Sequence, residues 1–381
     1  MPVQQSDPVL VYWKRPAPQE QQISFAHAGR ASPKDEDFYS HEIAGSSFAA
    51  FAVFDGHTGK RTAQSCAELL LPRILGSHSP RDPAIVTDAF WSIDQEIGAR
   101  VLPGVGPTPD GSTATVLVVE KREDSSLACL LSWVGDSTAL IVDMRSGKLL
   151  GATINHAPGL AREQQSLRRM QAVRQCVDLG NTSVKDALSA VPGARVAGAA
   201  SLDEEVAIIE RAMSRGRSIA AVHDIGAESR RNLYIGPRSA SKASSRLPMV
   251  VSTELSHTHS QYYDLQMTRS IVDWRGPDLV LPHPEHKAFD VSARQHVRVI
   301  LASDGLWDVC THSVATHIAR AAETPKAAAD ALLAHAESIY LGKRGKPHMG
   351  DDTTVLCVDL NPSALSFLPA PAGGAGGCAV M

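Results

Sequence analysis

The sequence predicts an α+β fold whose sheets are antiparallel, and three observations lead there. Its apolar runs are short, at residues 51–54, 114–119, 127–134, 297–302 and 354–360, and each has a Gly, Asp or Ser within two residues of one end. The runs at 114–119, 127–134 and 139–142 follow one another too closely for the crossover of about a dozen residues that a parallel pair requires. Between such groups lie segments whose apolar residues recur at helical spacing.

Taken in order, residues 1–20 carry Pro2, Pro8, Pro16, Pro18 and a Gln/Glu cluster, and read as a loosely held arm. Residues 23–28 read as a strand, and loop chemistry at 29–34 leads into Asp35, Glu36 and Asp37 beside Phe38 and Tyr39. On their own, three acids in a row read as a solvated turn. Residues 51–54, rich in Phe and Val, suit a strand buried on both faces, and Asp55-Gly56 turns the backbone where it leaves the core. Ala63, Cys66, Ala67, Leu70 and Ile74 mark the helix that follows, so Asp55 and His57 project at a strand-to-helix junction. Ile85, Ala89, Phe90, Ile93 and Ile97 mark a second helix within 83–100.

Asp110-Gly111 reads as a turn, after which the strands at 114–119, 127–134 and 139–142 are expected to run on as an antiparallel meander. Residues 160–177 and 203–214 have helical composition. Residues 226–248 are polar and basic, with Arg230, Arg231, Arg238, Lys242 and Arg246, and read as a surface excursion. The strand at 297–302 runs into Ser303-Asp304-Gly305-Leu306-Trp307-Asp308, and Thr324-Pro325 supplies an N-cap and first-turn proline for a helix reaching Tyr340. Gly350-Asp351-Asp352-Thr353 opens the last strand.

The 381-residue composition, 43% hydrophobic and 20% charged, is that of a globular protein, and a net charge of -4 gives no electrostatic reason to expect a nucleic-acid partner. Six cysteines without a Cys-x-x-Cys pair read as reduced core residues, neither a disulfide framework nor a zinc site. No apolar stretch is long enough to cross a bilayer and the start is no secretory signal, so a cytoplasmic or nuclear protein is expected.

Asp55, Asp136, Asp304 and Asp351 each stand at a strand end beside a glycine. In a sandwich of antiparallel sheets, strand ends on one rim lie close together, and carboxylates gathered there repel unless a cation neutralises them. Oxygen ligands without paired Cys or His point to Mg²⁺ or Mn²⁺. Two such ions ~3.5 to 4 Å apart would present an acidified water to a phosphorus, with His57 placed to protonate the leaving alkoxide. Each acid–glycine pair taken alone reads equally well as a turn, and order along the chain does not establish convergence.

Several motifs stand in order: Phe-Asp-Gly-His-Thr-Gly at 54–59, Gly-Ser-Thr-Ala at 111–114, Val-Gly-Asp-Ser at 134–137, Thr-Arg-Ser-Ile-Val-Asp at 268–273, Ala-Ser-Asp-Gly-Leu-Trp-Asp at 302–308 and Gly-Asp-Asp-Thr-Thr at 350–354. The set resembles the metal-dependent protein serine/threonine phosphatases of type 2C. The resemblance implies an α-β-β-α sandwich, two antiparallel β-sheets packed face to face and flanked by helices on both outer faces, in a phosphatase domain at 21–360. It implies phosphoprotein substrates hydrolysed by direct attack of water bridging two Mg²⁺ or Mn²⁺ ions. Carried over by position, Asp55 bridges the metals, Gly56 ligates through its carbonyl, and Glu36, Asp304 and Asp351 complete the cluster. Asp37 supports it, Asp136 and Asp308 join Asp304 at a third metal, and His57 is the general acid.

The sequence also departs from that pattern. Ser32 stands where the family usually carries a phosphate-gripping Arg, which leaves Arg30 and Lys34 as substitutes. Thr138 follows Ser137 where Arg is common, Val272 stands where Gly is usual, and Asn155-His156-Ala157-Pro158 only partly matches the family's Asp-His-Lys-Pro. An insertion is expected within 171–261. Residues 361–381 form a Pro/Ala/Gly-rich tail ending Cys378-Ala379-Val380-Met381, which fits a prenylation signal and implies reversible contact with the cytosolic face of a membrane. A monomer is expected. The rival reading is a pseudophosphatase scaffold that keeps the fold with little turnover; a metal-dependent nuclease fits the acidic balance poorly.

Overall fold

The computed structural model describes the strand Val9–Val11 and residues 22–363, except 100, 103–105, 108–109, 181, 224–232, 238–248, 254–262, 275–278 and 344–347. Cys378 and the rest of the tail lie outside the described residues, as does most of the 1–20 arm.

Two antiparallel sheets pack face to face with helices outside both. One sheet has six strands, in the order Val9–Val11, Ile23–Arg30, Thr353–Leu360, Val297–Ala302, Thr138–Asp143 and Leu149–Ala152. The other has seven, with Ile271–Val272, Gly111–Ser112, Phe48–His57, Ala114–Lys121, Leu127–Val134 and Glu285–Val291 in line and Asp37–Ala44 paired to Phe48–His57.

The two-residue period of the central strands builds three apolar layers. Phe51 and Val53 point between the sheets, where they meet Val299, Leu301, Leu356 and Val358. Ala50, Ala52 and Phe54 point outward onto the helices Arg61–Leu75 and Pro83–Gly98. Ile300, Ala302, Val355 and Cys357 point the other way, onto His312–Ala321 and Pro325–Glu337. Each buried Val, Leu, Ile or Phe contributes about 1.5–3 kcal/mol, so a central strand apolar on both faces is fixed in register from two sides at once.

Helix starts follow the sequence closely. Asp82 accepts from Ala84 N at 2.9 Å ahead of Pro83, and Thr324 accepts from Ala327 N at 3.1 Å ahead of Pro325. Arg61–Leu75 has no cap of its own, and Asp110 provides one: its Oδ2 accepts from Thr62 N at 3.0 Å and its carbonyl from Thr62 Oγ1 at 2.8 Å. The Asp110-Gly111 pair is therefore a buried remote cap as well as a change of direction.

Two expectations need correction. The meander breaks at Gly135-Asp136-Ser137: Leu127–Val134 pairs with Ala114–Lys121, whereas Thr138–Asp143 lies in the opposite sheet beside Val297–Ala302. With φ at +92° Gly135 takes the backbone between sheets, and a Cβ there would lie 2.6 Å from Thr113 Cγ2. The basic 226–248 segment is not wholly an excursion, because Leu233–Pro237 pairs with Met249–Thr253 and that strand with Tyr263–Leu265. The helices Ala161–Gly180, Val184–Ala190 and Leu202–His223 share an apolar cluster of their own, in which Leu167, Met170, Leu188, Ile208 and Ile209 gather against Trp91.

Candidate active site

The strand ends converge on one rim. Asp37 and Asp55 are directly opposed across the pairing of Asp37–Ala44 with Phe48–His57, an arrangement of like charges that is destabilising by itself. The sheet switch adds Asp136. Ser303-Asp304 follows the neighbouring strand, with Ser303 Oγ donating to Asp37 Oδ2 at 2.6 Å and accepting from Thr354 N at 3.0 Å. Gly305 lets this turn sit against the last strand, where a Cβ would overlap the Asp352 carbonyl.

The electrostatics record the crowding. Burial pushes Asp55 well above the usual carboxylate range, and the charges of Asp304, Asp37, Asp136 and Asp351 push it further. Asp304 is raised in the same way, by burial and then by Asp136, Asp351, Asp308 and Asp37. Burial lifts Asp37 to about 7 and Asp136 to about 6, while burial also raises Glu36. Asp37 Oδ1, Asp136 Oδ1 and His57 Nδ1 are buried without a hydrogen-bond partner among the described residues. The two open carboxylate oxygens, among mutually repelling acids, are the donor set that a hard divalent cation fits.

Neighbouring backbone holds these groups still. Asp55 N donates to Thr113 Oγ1 at 3.1 Å, and Thr113 N donates to the Asp55 carbonyl at 2.9 Å. Gly56 N donates to the Glu36 carbonyl at 3.2 Å, and a Cβ on Gly56 would lie 2.7 Å from that oxygen. The Asp352 carboxylate accepts from Ser32 N and, at 2.5 Å, from Glu36 N, so it shapes the loop that delivers Glu36. Lys34 brings its ammonium to 2.8 Å from both Asp351 oxygens. Arg30 turns instead to Glu337 Oε1 at 2.6 Å, so of the two expected phosphate contacts only Lys34 stands at the acidic cluster.

Asp273 is the residue that sequence reasoning missed. Its fully buried carboxylate lies 2.8 and 2.9 Å from His57 Nε2 and accepts from Ser270 Oγ. Burial opposes a charge on His57, yet the charge and hydrogen bond of Asp273, reinforced by Asp136 and Glu36, raise its pKa above the ordinary histidine value. Gly111 makes room for the contact, since a Cβ there would lie 2.4 Å from the Asp273 carboxylate. Val272 (φ +72°) and Asp273 (φ +48°) both adopt left-handed backbone; for a β-branched residue this strain is of order 1–3 kcal/mol. The signal for Asp273 was its place at the end of the 268–273 motif.

A second polar group lies behind this loop. Ligand atoms of His156, Glu163 and Glu285 fall within 4.8 Å of one another. Arg269 occupies them, with 2.8 and 3.1 Å contacts to Glu163 and 3.3 Å to Glu285, and Thr268 Oγ1 donates to Glu163 at 2.7 Å. Burial and then the Arg269 charge hold His156 down at about 4, so it is neutral. The trio is a buried ion-pair knot that anchors Thr268 and Arg269.

The chain matches the family model for protein phosphatase 2C over residues 20–189 and 246–340. The mouse (Mus musculus) probable protein phosphatase 1N is 36% identical over 126 residues, 32% of this chain and 29% of that protein. Probable protein phosphatase 2C 15 of Arabidopsis thaliana is 34% identical over 118 residues, 29% of this chain and 24% of that protein. The matched stretch thus spans less than a third of either curated relative. Among solved structures, a serine-threonine phosphatase 2C from Toxoplasma gondii superposes with a TM-score of 0.59 at 16% identity, covering 94% of this chain and 99% of that one. A C. elegans sex determining protein gives 0.54 at 16% identity, over 90% of this chain and 66% of that one. At such identities the likeness is one of fold.

Proposed function

Because the chain belongs to the protein phosphatase 2C family, we propose that its acidic rim hydrolyses phosphoserine and phosphothreonine esters in proteins with the help of Mg²⁺ or Mn²⁺. The observation that carries this reading is the gathering of mutually repelling, partly unsatisfied carboxylates beside an imidazole with one open nitrogen. Glu36, Asp55, Asp304 and Asp351, with the Gly56 carbonyl, would hold a pair of ions; Asp37 would support them, and Asp136 and Asp308 would contribute with Asp304 to a third. Bound there, the ions supply Lewis acidity and lower the pKa of water toward neutrality.

The chain's own groups do the rest. Asp273 fixes the His57 ring through Nε2 and favours its protonated form, which leaves the Nδ1 proton for the departing seryl or threonyl oxygen. Lys34 offers an ammonium to phosphoryl oxygens, a point charge in place of the forked contact that Ser32 cannot make. Residues 190–245, which the family model passes over, fall within the 171–261 stretch read as holding an insertion and include the helix Leu202–His223.

The test is hydrolysis of p-nitrophenyl phosphate and of a phosphothreonine peptide with Mn²⁺, with EDTA, and by the Asp55→Asn and Asp304→Asn variants. Turnover that EDTA and both substitutions abolish is expected. Activity that survives EDTA or Asp55→Asn contradicts the reading, and an inert wild-type chain favours the scaffold that Ser32 suggests.

A further inference from the structure

We propose that Arg215, on the inserted helix Leu202–His223, is a positioning residue for His57, acting through the strained backbone that presents Asp273. The inference rests on the reading of His57 as general acid.

Arg215 is fully buried and forked onto Asp94 of the Pro83–Gly98 helix, Nε to Oδ2 at 2.9 Å and Nη2 to Oδ1 at 3.0 Å. Its Nη1 donates to the Val280 carbonyl at 2.8 Å, and its Nη2 donates to the Val272 carbonyl. Asp94 in turn accepts from Val272 N at 2.7 Å and from Trp274 Nε1 at 3.1 Å. One ion pair therefore holds both polar backbone groups of Val272 and the side chain of Trp274, the two residues that flank Asp273.

What it holds is a conformation that Val272 does not favour, at φ +72°. The Val272 carbonyl belongs to the peptide unit leading into Asp273, so its direction sets where the Asp273 carboxylate meets His57 Nε2 at 2.8 Å. Where the type 2C pattern usually has a glycine, this chain has a valine together with a guanidinium, from a segment outside the matched family span, that pins its carbonyl. The plain alternative is that Arg215 only neutralises a buried carboxylate and supports the fold. That role would lower every activity alike.

The leaving group separates the two. A threonine alkoxide must be protonated as it departs, whereas p-nitrophenolate leaves without a proton. Arg215→Met in the full chain with saturating Mn²⁺ is expected to lower kcat on a phosphothreonine peptide about tenfold or more while keeping p-nitrophenyl phosphate turnover within about threefold. Adding Val272→Gly, which accepts positive φ without strain, should recover most of the loss. Arg215→Lys keeps the charge without the fork and should show the same split in milder form, so the inference stays testable if the Met variant fails to fold. Parallel losses on both substrates, or no recovery with Val272→Gly, overturn it. His57→Asn is the control: a split at His57 without one at Arg215 defeats this inference alone, and no split at His57 defeats the general-acid reading as well.

Discussion

His57 Nε2 faces both oxygens of the buried Asp273 carboxylate, at 2.8 and 2.9 Å, while Nδ1 on the other side of the ring has no partner among the described residues. The ring is held by one nitrogen and left chemically open at the other.

Asp273→Asn keeps the shape of that contact and removes its charge. The carboxylate raises the His57 pKa, so wild-type His57 keeps its proton to higher pH than an ordinary histidine. The variant should lose about 10²-fold in kcat on a phosphothreonine peptide. The alkaline limb of kcat against pH should also move to lower pH, and an unmoved limb would mean that His57 is not the proton donor.

Metal should stabilise the fold more as pH rises. Burial lifts Asp37 to about 7 and Asp136 to about 6, above the unfolded value of about 3.9. Groups raised in this way contribute stability to the metal-free fold at low pH, and it is lost as pH climbs through their folded values. A divalent ion competes with those protons, so the gain in Tm from Mn²⁺ over EDTA should be small at pH 5 and largest at pH 8. At a hundredfold excess over Kd, binding adds about 2.7 kcal/mol. Differential scanning fluorimetry across pH reads it directly, and a gain independent of pH would place the metal elsewhere.

Lys34 and Arg30 separate cleanly. Lys34 stands 2.8 Å from Asp351, while Arg30 is committed to Glu337 at 2.6 Å. Lys34→Ala should raise KM for the peptide roughly threefold to tenfold with a smaller change in kcat, and Arg30→Ala should change neither. A KM effect at Arg30 alone would reverse the assignment.

The central strands were legible because residues such as Phe51 and Val53 are apolar in a period that burial on both faces demands. The strand Asp37–Ala44 was not, since as an edge strand it is half exposed and carries no alternating apolar signal. The sheet switch at Gly135 was hidden because a three-residue link looks the same whether it closes a hairpin or crosses between layers. At the site, Asp55, Asp136, Asp304 and Asp351 stood out beside glycines, whereas Glu36, Asp37 and Asp308 came only with the motif resemblance, and the Asp273 contact depends on positive φ at Val272, which a β-branched residue gives no reason to expect. Arg215 was further from sight, because its partner Asp94 lies 121 positions away and both sit on helices that look ordinarily amphipathic.

Away from the site, Arg298 joins the last strand to a helix end and should govern stability without touching catalysis. Its guanidinium forks onto Asp359 at 2.6 and 2.7 Å and donates to the Ala319 and Ala322 carbonyls at 2.6 and 2.9 Å, closing the C-terminus of His312–Ala321. Burial works against the Asp359 charge, but the forked hydrogen bonds and charge of Arg298, with His296 Nε2 3.3 Å away, hold its pKa below the usual carboxylate range. Its stabilisation is therefore present above the unfolded value of about 3.9 and lost as pH falls through the lower folded value. Asp359→Ala strands a buried guanidinium and should cost about 3–5 kcal/mol in urea unfolding at neutral pH, and the double variant Arg298→Met, Asp359→Leu should recover part of that. Under conditions where both variants remain folded, kcat should match wild type; a loss of kcat in the folded protein would mean that the helix end it secures reaches the acidic rim.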